Sequence, residues 1–240
     1  MSSQQRLWNP LDACTSEQRE YLAEYERLLL DWNTRVNLIS RSTNPAVVFE
    51  RHVLHSLALA EHSFPDGCAV SDFGTGGGLP GVPLAIRFPA VTFHLVDSTL
   101  KKLRAIDDMA TQLGLSNVHV HHTRAEKWKG KAHYAVSRAT APLDVLWRWY
   151  ERSRIPLDAP PVEGDWTPGL LCLKGGDLLD ETAALTKRRP QLQVSSTPLQ
   201  PLLGPGYFQE KVRLHVVDPG TRGRSELRSA DSGQPIADSR

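Results

Sequence analysis

The chain has 240 residues, of which 40% are apolar and 23% charged, and its formal net charge is +1. This composition is typical of a globular protein in solution and excludes a polycationic chain. No stretch approaches the roughly 20 apolar residues of a membrane-spanning helix, and residues 1–6 lack the apolar core of a signal peptide, so we expect a cytoplasmic protein. Cys14, Cys68 and Cys172 form no C-x-x-C pair, which disfavours a zinc site or a disulfide framework.

The first 66 residues are predicted to form a helical extension. Thr15 and Gln18 make a capping-box pattern that indicates the start of a helix. The apolar residues that follow recur at helical spacing, which is typical of a packed helix face: Leu22, Tyr25, Leu28, Leu29 and Trp32. Pro45 can begin a second helix that runs to Ala60. Residues 1–66 carry six Lys/Arg and nine Asp/Glu, and we expect this acidic extension to pack on the core.

Two histidines, His52 and His55, lie three positions apart on the second predicted helix. Metal ligation would need further ligands, and none lies nearby in the sequence. The spacing therefore favours a surface or substrate-facing pair, and we expect no metal site.

A glycine-rich segment follows the extension and organises the rest of the chain. Residues 69–73 predict a short strand, and five glycines come directly after it: Gly74, Gly76, Gly77, Gly78 and Gly81. Glycine adopts positive φ without strain, and its missing Cβ lets a ligand approach the backbone. Pro80 and Pro83 suit the first turn of a following helix. A strand, a glycine turn and a helix form the cofactor-binding corner of an open α/β sheet, an interpretation that we favour over a flexible loop.

A second predicted strand, 91–96, ends in Asp97. An acidic residue about twenty positions after a glycine turn commonly binds the ribose hydroxyls of a nucleoside cofactor. A dinucleotide fingerprint would need Gly or Ala at the position of Leu79. Leu79 therefore disfavours a nucleotide-dependent oxidoreductase, which we keep as the alternative.

The glycines instead follow the pattern G-x-G-x-G from Gly74 through Gly76 to Gly78, with Asp72 two residues before the first. This pattern resembles the first motif of S-adenosylmethionine methyltransferases. In that interpretation the glycines and Asp97 bind the cofactor, and Asp72 can hold the amino group of its methionine part.

The remaining elements alternate between strands and helices. Predicted helices are 100–113, 143–150 and 178–187, and predicted strands are 118–122, 134–137, 170–173, 192–194 and 211–217, with a long loop at 153–169. This order predicts a doubly wound, mostly parallel α/β sheet with an antiparallel edge strand. We assign residues 1–66 to the helical extension, 67–217 to the cofactor-binding domain and 218–240 to a disordered tail.

Charged residues recur at the ends of the predicted strands: Asp72, Asp97, Glu126, Arg138 and Lys174. Because the carboxyl ends of parallel strands meet at one edge of a sheet, we expect these side chains to gather on one rim. Residues 101–154 carry eleven Lys/Arg and five Asp/Glu. A local positive potential of this kind can bind a phosphate backbone, although for any single lysine a solvated surface position is the simpler explanation.

In their order and spacing, these motifs resemble the GidB/RsmG family of bacterial methyltransferases, which modify N7 of a guanine in small-subunit ribosomal RNA. The resemblance covers about residues 32–217 and depends on segments 72–83, 97–102, 124–126, 137–139 and 174–175. It implies a Rossmann-like class I methyltransferase sheet in which S-adenosylmethionine is bound by Gly74, Leu79, Ala125, Glu126 and Arg138. It also implies that RNA is approached by Lys101, Lys102, Arg124 and Lys174. The chain departs from the family where His55 replaces the usual Asp.

Guanine N7 has a free lone pair and carries no proton, so it can attack a methyl group directly. We therefore predict catalysis by alignment, with no catalytic residue acting as a general base. Residues 137–140 lack the Asn/Asp-Pro-Pro-aromatic motif of methyltransferases that modify exocyclic amino groups. We expect a monomer that acts on small-subunit ribosomal RNA or on the assembling subunit. An RNA-binding protein without activity is the other alternative.

Overall fold

The computed structural model describes residues 8–138 and 140–221. Seven strands are present in these residues: β1 (Ala69–Phe73), β2 (Thr92–Asp97), β3 (Val118–His122), β4 (Tyr134–Arg138), β5 (Leu170–Gly175), β6 (Gln193–Pro198) and β7 (Lys211–Val217). They form one sheet in the order β3-β2-β1-β4-β5-β7-β6. β1 to β5 run parallel, whereas β7 is antiparallel to both β5 and β6. The predicted mostly parallel α/β sheet is therefore confirmed, and β6, paired with the antiparallel strand β7, forms the edge.

The α-helices of the described residues are α1 (Ser16–Arg35), α2 (His55–Leu57), α3 (Gly81–Arg87), α4 (Leu100–Gln112), α5 (Leu143–Ser153), α6 (Leu179–Arg188) and α7 (Gln200–Leu203). α2 belongs to a helical segment that begins at Pro45 and continues to Ala60. This segment contains a π-helical stretch, Phe49–Leu54, which the sequence did not predict. The short helix α7 was not predicted either.

Local sequence signals explain how α1 begins and packs. The Thr15 hydroxyl accepts the Gln18 backbone N–H, and the Gln18 side chain accepts the Thr15 N–H, each at 3.1 Å. This reciprocal capping box satisfies two amide groups that the helix leaves unpaired. The apolar face of α1 is buried through Leu22, Tyr25, Leu28 and Leu29. The helix predicted in the extension is therefore present. The assignment of residues 1–66 as a unit distinct from the cofactor-binding domain stays a prediction.

Two apolar clusters cover the two faces of the sheet. One cluster joins α1, α3 and α4 to buried residues of β1, β2 and β4 such as Val70, Phe93 and Val136. The other joins α5 and α6 to residues of the opposite face, among them Phe73, Val96 and Cys172. After β1 the chain continues to β2 on one side of the sheet, and after the neighbouring strand β4 it continues to β5 on the other side. The carboxyl ends of β1 and β4 therefore flank the crevice in which open α/β sheets bind ligands.

The loop predicted at 153–169 is anchored to the fold. Trp166 is buried, and its indole N–H donates to the Leu59 carbonyl at 2.8 Å. Of the predicted tail, residues 222–240 lie outside the described residues. In the part of the chain that the structure describes, no helix combines the length and the apolar character needed to cross a membrane.

Candidate active site

The glycine turn after β1 is formed by residues with left-handed backbone geometry. Gly74, Gly76 and Gly78 have φ of +72°, +60° and +93°. At Gly74 a Cβ would also lie 2.1 Å from the Thr140 methyl group, so glycine is required there for packing as well. A Cβ on Gly76 would meet no atom closer than 3.9 Å. The backbone at Gly76 is therefore open, as the approach of a ligand requires.

Asp72 lies beneath this turn and is fully buried. Its Oδ2 accepts the Thr75 hydroxyl at 2.7 Å and the Gly81 N–H at 2.9 Å, while Oδ1 has no hydrogen-bond partner in the described residues. Burial raises the pKa of Asp72 from 3.8 to about 7, although the two hydrogen bonds act in the opposite direction. Asp72 thus holds the turn to the start of α3 and keeps one carboxyl oxygen unused.

Asp97, at the end of β2, connects a second strand to the turn. Its Oδ2 accepts the Gly76 N–H at 3.1 Å, and its Oδ1 accepts the Thr99 N–H at 2.8 Å. Each carboxylate oxygen can accept a further hydrogen bond. Asp97 is partly exposed, so its remaining acceptor capacity is accessible to the hydroxyl groups of a ligand.

A cavity of about 810 Å³ opens beside the turn. Seven of the residues predicted for the cofactor or the RNA line it: Gly74, Gly76, Asp97, Lys102, Arg124, Ala125 and Glu126. Sequence reasoning missed the wall that α5 contributes through Val145, Arg148, Trp149 and Arg152. These positions are three or four residues apart, so they lie on one face of the helix, next to its buried face. That second periodicity is the signal that could have identified them.

Arg124 and Glu126 lie at the mouth of this cavity and are both exposed. Their charged groups are 4.0 Å apart. Arg152 donates to the Glu126 carbonyl at 3.4 Å, which brings the last turn of α5 against the residues after β3. Lys102, Arg124, Arg148 and Arg152 therefore contribute positive charge to the lining of the cavity, and Asp97 and Glu126 contribute its acidic groups.

Arg138, at the end of β4, lies outside the lining of the cavity. Its guanidinium donates to His52 Nδ1 at 2.8 Å and to the Arg51 carbonyl at 3.4 Å. Burial, and then the positive charge of Arg138, lower the pKa of His52 to about 4. His52 is therefore neutral near pH 7 and can accept this hydrogen bond at Nδ1.

Gly78 and Leu79 also lie away from the cavity lining. The Gly78 and Leu79 N–H groups both donate to the Thr75 carbonyl at 2.9 Å. A Cβ on Gly78 would approach Val82 to 2.6 Å, and the Leu79 side chain is buried in the core. These two residues shape the turn, and their contact with a cofactor stays a prediction.

Lys174 requires a correction, since we expected it on the rim near RNA. It is buried, and its ammonium group donates to Glu181 Oε1 at 2.6 Å and to the Ala141 carbonyl at 2.9 Å. Alternation along β5 turns this side chain toward α6, on the face opposite to α1. The ion pair with Glu181 leaves no accessible charge for a phosphate. Lys101, by contrast, is exposed on α4.

The expectation of a surface histidine pair also needs correction. His55 is 3% exposed and packs edge-on against Tyr207 and Phe208. Burial lowers the pKa of His55 to about 3. Within residues 8–138 and 140–221, no group of three or more His, Cys, Asp or Glu is arranged to hold a metal ion.

Comparison with known proteins identifies the family. The model of the GidB family, described as rRNA small subunit methyltransferase G, matches residues 18–197. The ribosomal RNA small subunit methyltransferase G of Salinibacter ruber is 50% identical over 206 residues, which cover 85% of this chain and 94% of that protein. The chain belongs to this family. The predicted family resemblance is confirmed, and the oxidoreductase alternative is excluded.

Solved structures agree on the fold. The ribosomal protein L11 methylase of Lactobacillus delbrueckii subsp. bulgaricus superposes with a TM-score of 0.52 at 14% identity, covering 73% of this chain and 80% of that one. A SAM-dependent methyltransferase from Aquifex aeolicus gives a TM-score of 0.50 at 13% identity, covering 72% and 93%. The solved structures show the class I methyltransferase fold, and the family match makes the protein a methyltransferase that uses S-adenosylmethionine.

The residues at the cavity fit this cofactor. The open backbone at Gly76 admits a ligand, and the accessible oxygens of Asp97 can accept ribose hydroxyls. Asp72, by contrast, is fully buried and does not line the cavity, so its contact with the amino group of the cofactor stays a prediction. Gly74, Ala125 and Glu126 complete the lining.

Proposed function

We propose that the protein transfers a methyl group from S-adenosylmethionine to N7 of a guanine in small-subunit ribosomal RNA. One observation carries the proposal: the glycine turn, Asp97 and Glu126 share a cavity whose lining also includes four cationic side chains. The acidic groups and open backbone suit a nucleoside cofactor. The positive charge of the lining suits an RNA backbone.

In this proposal S-adenosylmethionine supplies an electrophilic methyl group on a sulfonium centre. The chain aligns the acceptor with that group, and alignment of two reactants can lower a barrier by roughly 7–11 kcal/mol. Guanine N7 attacks through its lone pair and releases no proton. The neutral histidines, His52 and His55, are therefore not needed as bases. The acidic Glu126 at the cavity can offset the positive charge that the guanine ring gains.

The RNA in this proposal crosses the rim formed by Lys101, Lys102 and Arg124. Lys102 and Arg124 line the cavity, and Lys101 precedes them on the exposed side of α4. Arg148 and Arg152 of α5 extend the same positive surface. The partner is small-subunit RNA or the assembling subunit in the cytoplasm, and the enzyme acts as a monomer.

The decisive experiment measures methyl transfer from labelled S-adenosylmethionine to purified small-subunit RNA and, separately, to small subunits, followed by mapping of the product. We expect label on one guanine, in a product with the chromatographic mobility of N7-methylguanosine. Label on an adenine or on an exocyclic nitrogen would contradict the proposed acceptor atom. Absence of label from both substrates, with cofactor binding intact, would support the alternative of an inactive RNA-binding protein.

A further inference from the structure

Three cationic side chains converge next to the glycine turn but outside the cavity: Arg51, Arg138 and Lys211. The Arg51 guanidinium carbon lies 5.3 Å from the centre of the Tyr207 ring, and the Lys211 ammonium lies 5.1 Å from the same ring. Arg138 contacts the Arg51 carbonyl. We call these three residues, with Tyr207, the cation cluster.

The cation cluster is tied directly to the turn. Arg138 ends β4, which pairs with β1. The hydroxyl of the preceding residue, Ser137, donates to the Phe73 carbonyl at 3.0 Å, and Thr140 donates to the Gly74 carbonyl at 3.3 Å. The cluster and the cofactor cavity therefore both adjoin the Gly74 backbone, although Arg51, Arg138, Tyr207 and Lys211 do not line the cavity.

No carboxylate neutralises this cluster. Among the described residues, none of its three cations lies within 4.0 Å of a carboxylate oxygen. Asp72 and Glu50 act on it electrostatically from further away. Like charges held together repel one another, and a ring quadrupole offsets only part of that repulsion. An anion bound at the cluster would remove the remaining repulsion among the cations.

Two buried polar atoms beside the cluster also lack partners. His52 Nε2 and His55 Nε2 make no hydrogen bond with any described residue. Tyr207 Oη lies 3.4 Å from His55 Nδ1, which joins the histidine to the cluster. Arg51 and His52 belong to the π-helical stretch, and such stretches occur frequently at functional sites.

We propose that the cation cluster is a phosphate clamp for the target strand of the RNA. Arg51 is exposed and Lys211 is half-buried, so both can reach a phosphodiester, while Tyr207 holds the two side chains together. The clamp fixes the acceptor nucleotide beside Gly74, next to the cavity that holds the cofactor. This inference rests on the proposed function and names the substrate group that the cluster binds.

The test compares two double variants that remove the same charge. Arg51→Gln with Lys211→Gln removes the clamp cations, and Arg19→Gln with Lys187→Gln removes two exposed cations remote from the turn. Small-subunit RNA binding is measured by filter binding across a salt series, and S-adenosylmethionine binding by calorimetry. For two lost contacts to single-stranded RNA, the slope of log affinity against log salt should shrink by about 1.4. The control should keep the wild-type slope, and both variants should keep wild-type cofactor affinity.

Further variants separate the effect of charge on RNA binding from an effect on folding. Arg51→Lys with Lys211→Arg keeps both charges and should restore most of the RNA affinity. Tyr207→Leu should weaken RNA binding, whereas Tyr207→Phe retains the ring and should not. Thermal unfolding of each variant confirms that the fold is intact.

Three results would overturn the clamp. An RNA affinity and a salt slope equal to those of the control would do so, as would loss of cofactor affinity with RNA affinity unchanged, which would assign the cluster to the cofactor carboxylate. Wild-type protein that neither binds nor methylates small-subunit RNA would overturn the proposed function and the clamp together. Either of the first two results, obtained with active wild-type protein, would overturn the clamp alone.

Discussion

The cofactor cavity and the cation cluster, which we call the cavity side and the other side of the glycine turn, are assembled in different ways. The cavity side is lined by residues at or just after the ends of β1, β2 and β3, such as Gly76, Asp97 and Glu126, together with one face of α5. The other side, the cation cluster, joins Arg138 to Arg51, 87 positions earlier in the chain, and to Tyr207. A site built at consecutive strand ends is readable from a sequence, because strand order alone brings its residues together. A site built from distant segments depends on how those segments pack.

The largest effect should come from Gly76→Val, which acts only on the cavity side. The branched side chain would enter the open space at the turn, and cofactor binding should fall below detection by calorimetry. Valine at positive φ is also strained. Gly114→Val is the matched control, since Gly114 has φ of +66° and no atom within 4 Å of an added Cβ. Both variants should lose similar stability, and equal cofactor affinity in the two would contradict our placement of the cofactor.

Asp97→Ala should give the next largest effect on the cavity side. Hydrogen bonds to a charged group contribute about 1.5–3 kcal/mol each, which corresponds to a loss of roughly 10- to 150-fold in S-adenosylmethionine affinity. The Gly76 and Thr99 N–H groups would also lose their acceptor. Asp97→Asn retains an acceptor without the charge and should fall between wild type and Asp97→Ala. A wild-type dissociation constant in Asp97→Ala would show that the ribose is bound elsewhere.

Most of the fold was predictable from local patterns. β3 and β7 occupy the predicted residues, and the capping box at Thr15 begins α1 as expected. The π-helical stretch Phe49–Leu54 was not predictable, because its residues pattern like an ordinary helix and only tertiary packing widens the turn. On the cavity side, the prediction missed the residues of α5. The face of α5 that lines the cavity has the sequence pattern of a solvent-exposed helix face.

Lys174 shows why position at a strand end is not sufficient. The prediction placed it correctly at the carboxyl end of β5, but the side-chain direction along a strand alternates. Whether Lys174 faces solvent or α6 depends on where Glu181 packs, which no local pattern specifies. Arg138 was also placed at the rim; it donates to His52 and does not line the cavity, and its contact with the cofactor stays a prediction.

Lys174→Met should therefore affect stability and leave both sides of the turn unchanged. It removes the cationic partner of Glu181, whose Oε1 still accepts the Leu143 N–H. A hydrogen bond to a charged group contributes about 1.5–3 kcal/mol, and its loss is measured as the free energy of unfolding in urea. Glu181→Gln in the same background should recover part of the loss. Reduced RNA affinity in a folded Lys174→Met protein would return this lysine to the RNA surface.

We expect the smallest net effect from pH, because Asp72 and His52 respond to it with opposite signs. Burial raises the pKa of Asp72 from 3.8 to about 7. The folded state therefore binds a proton more tightly than the unfolded state, so this contribution to stability is present below about pH 4 and is lost as pH rises toward 7. The pKa of His52 is lowered from 6.5 to about 4. Its contribution is present above pH 6.5 and is lost as pH falls toward 4.

In the wild type these contributions partly offset each other between pH 4 and 7, and single variants should separate them. The free energy of unfolding is measured by urea denaturation at each pH. In Asp72→Asn it should lack the decrease that the titration of Asp72 causes as pH rises. In His52→Gln it should lack the decrease that the titration of His52 causes as pH falls. The differences between each variant and wild type should therefore slope in opposite directions with pH, while His62→Gln, outside the cluster, controls for removal of a histidine. Parallel slopes for the two variants would contradict the opposite pKa shifts of Asp72 and His52.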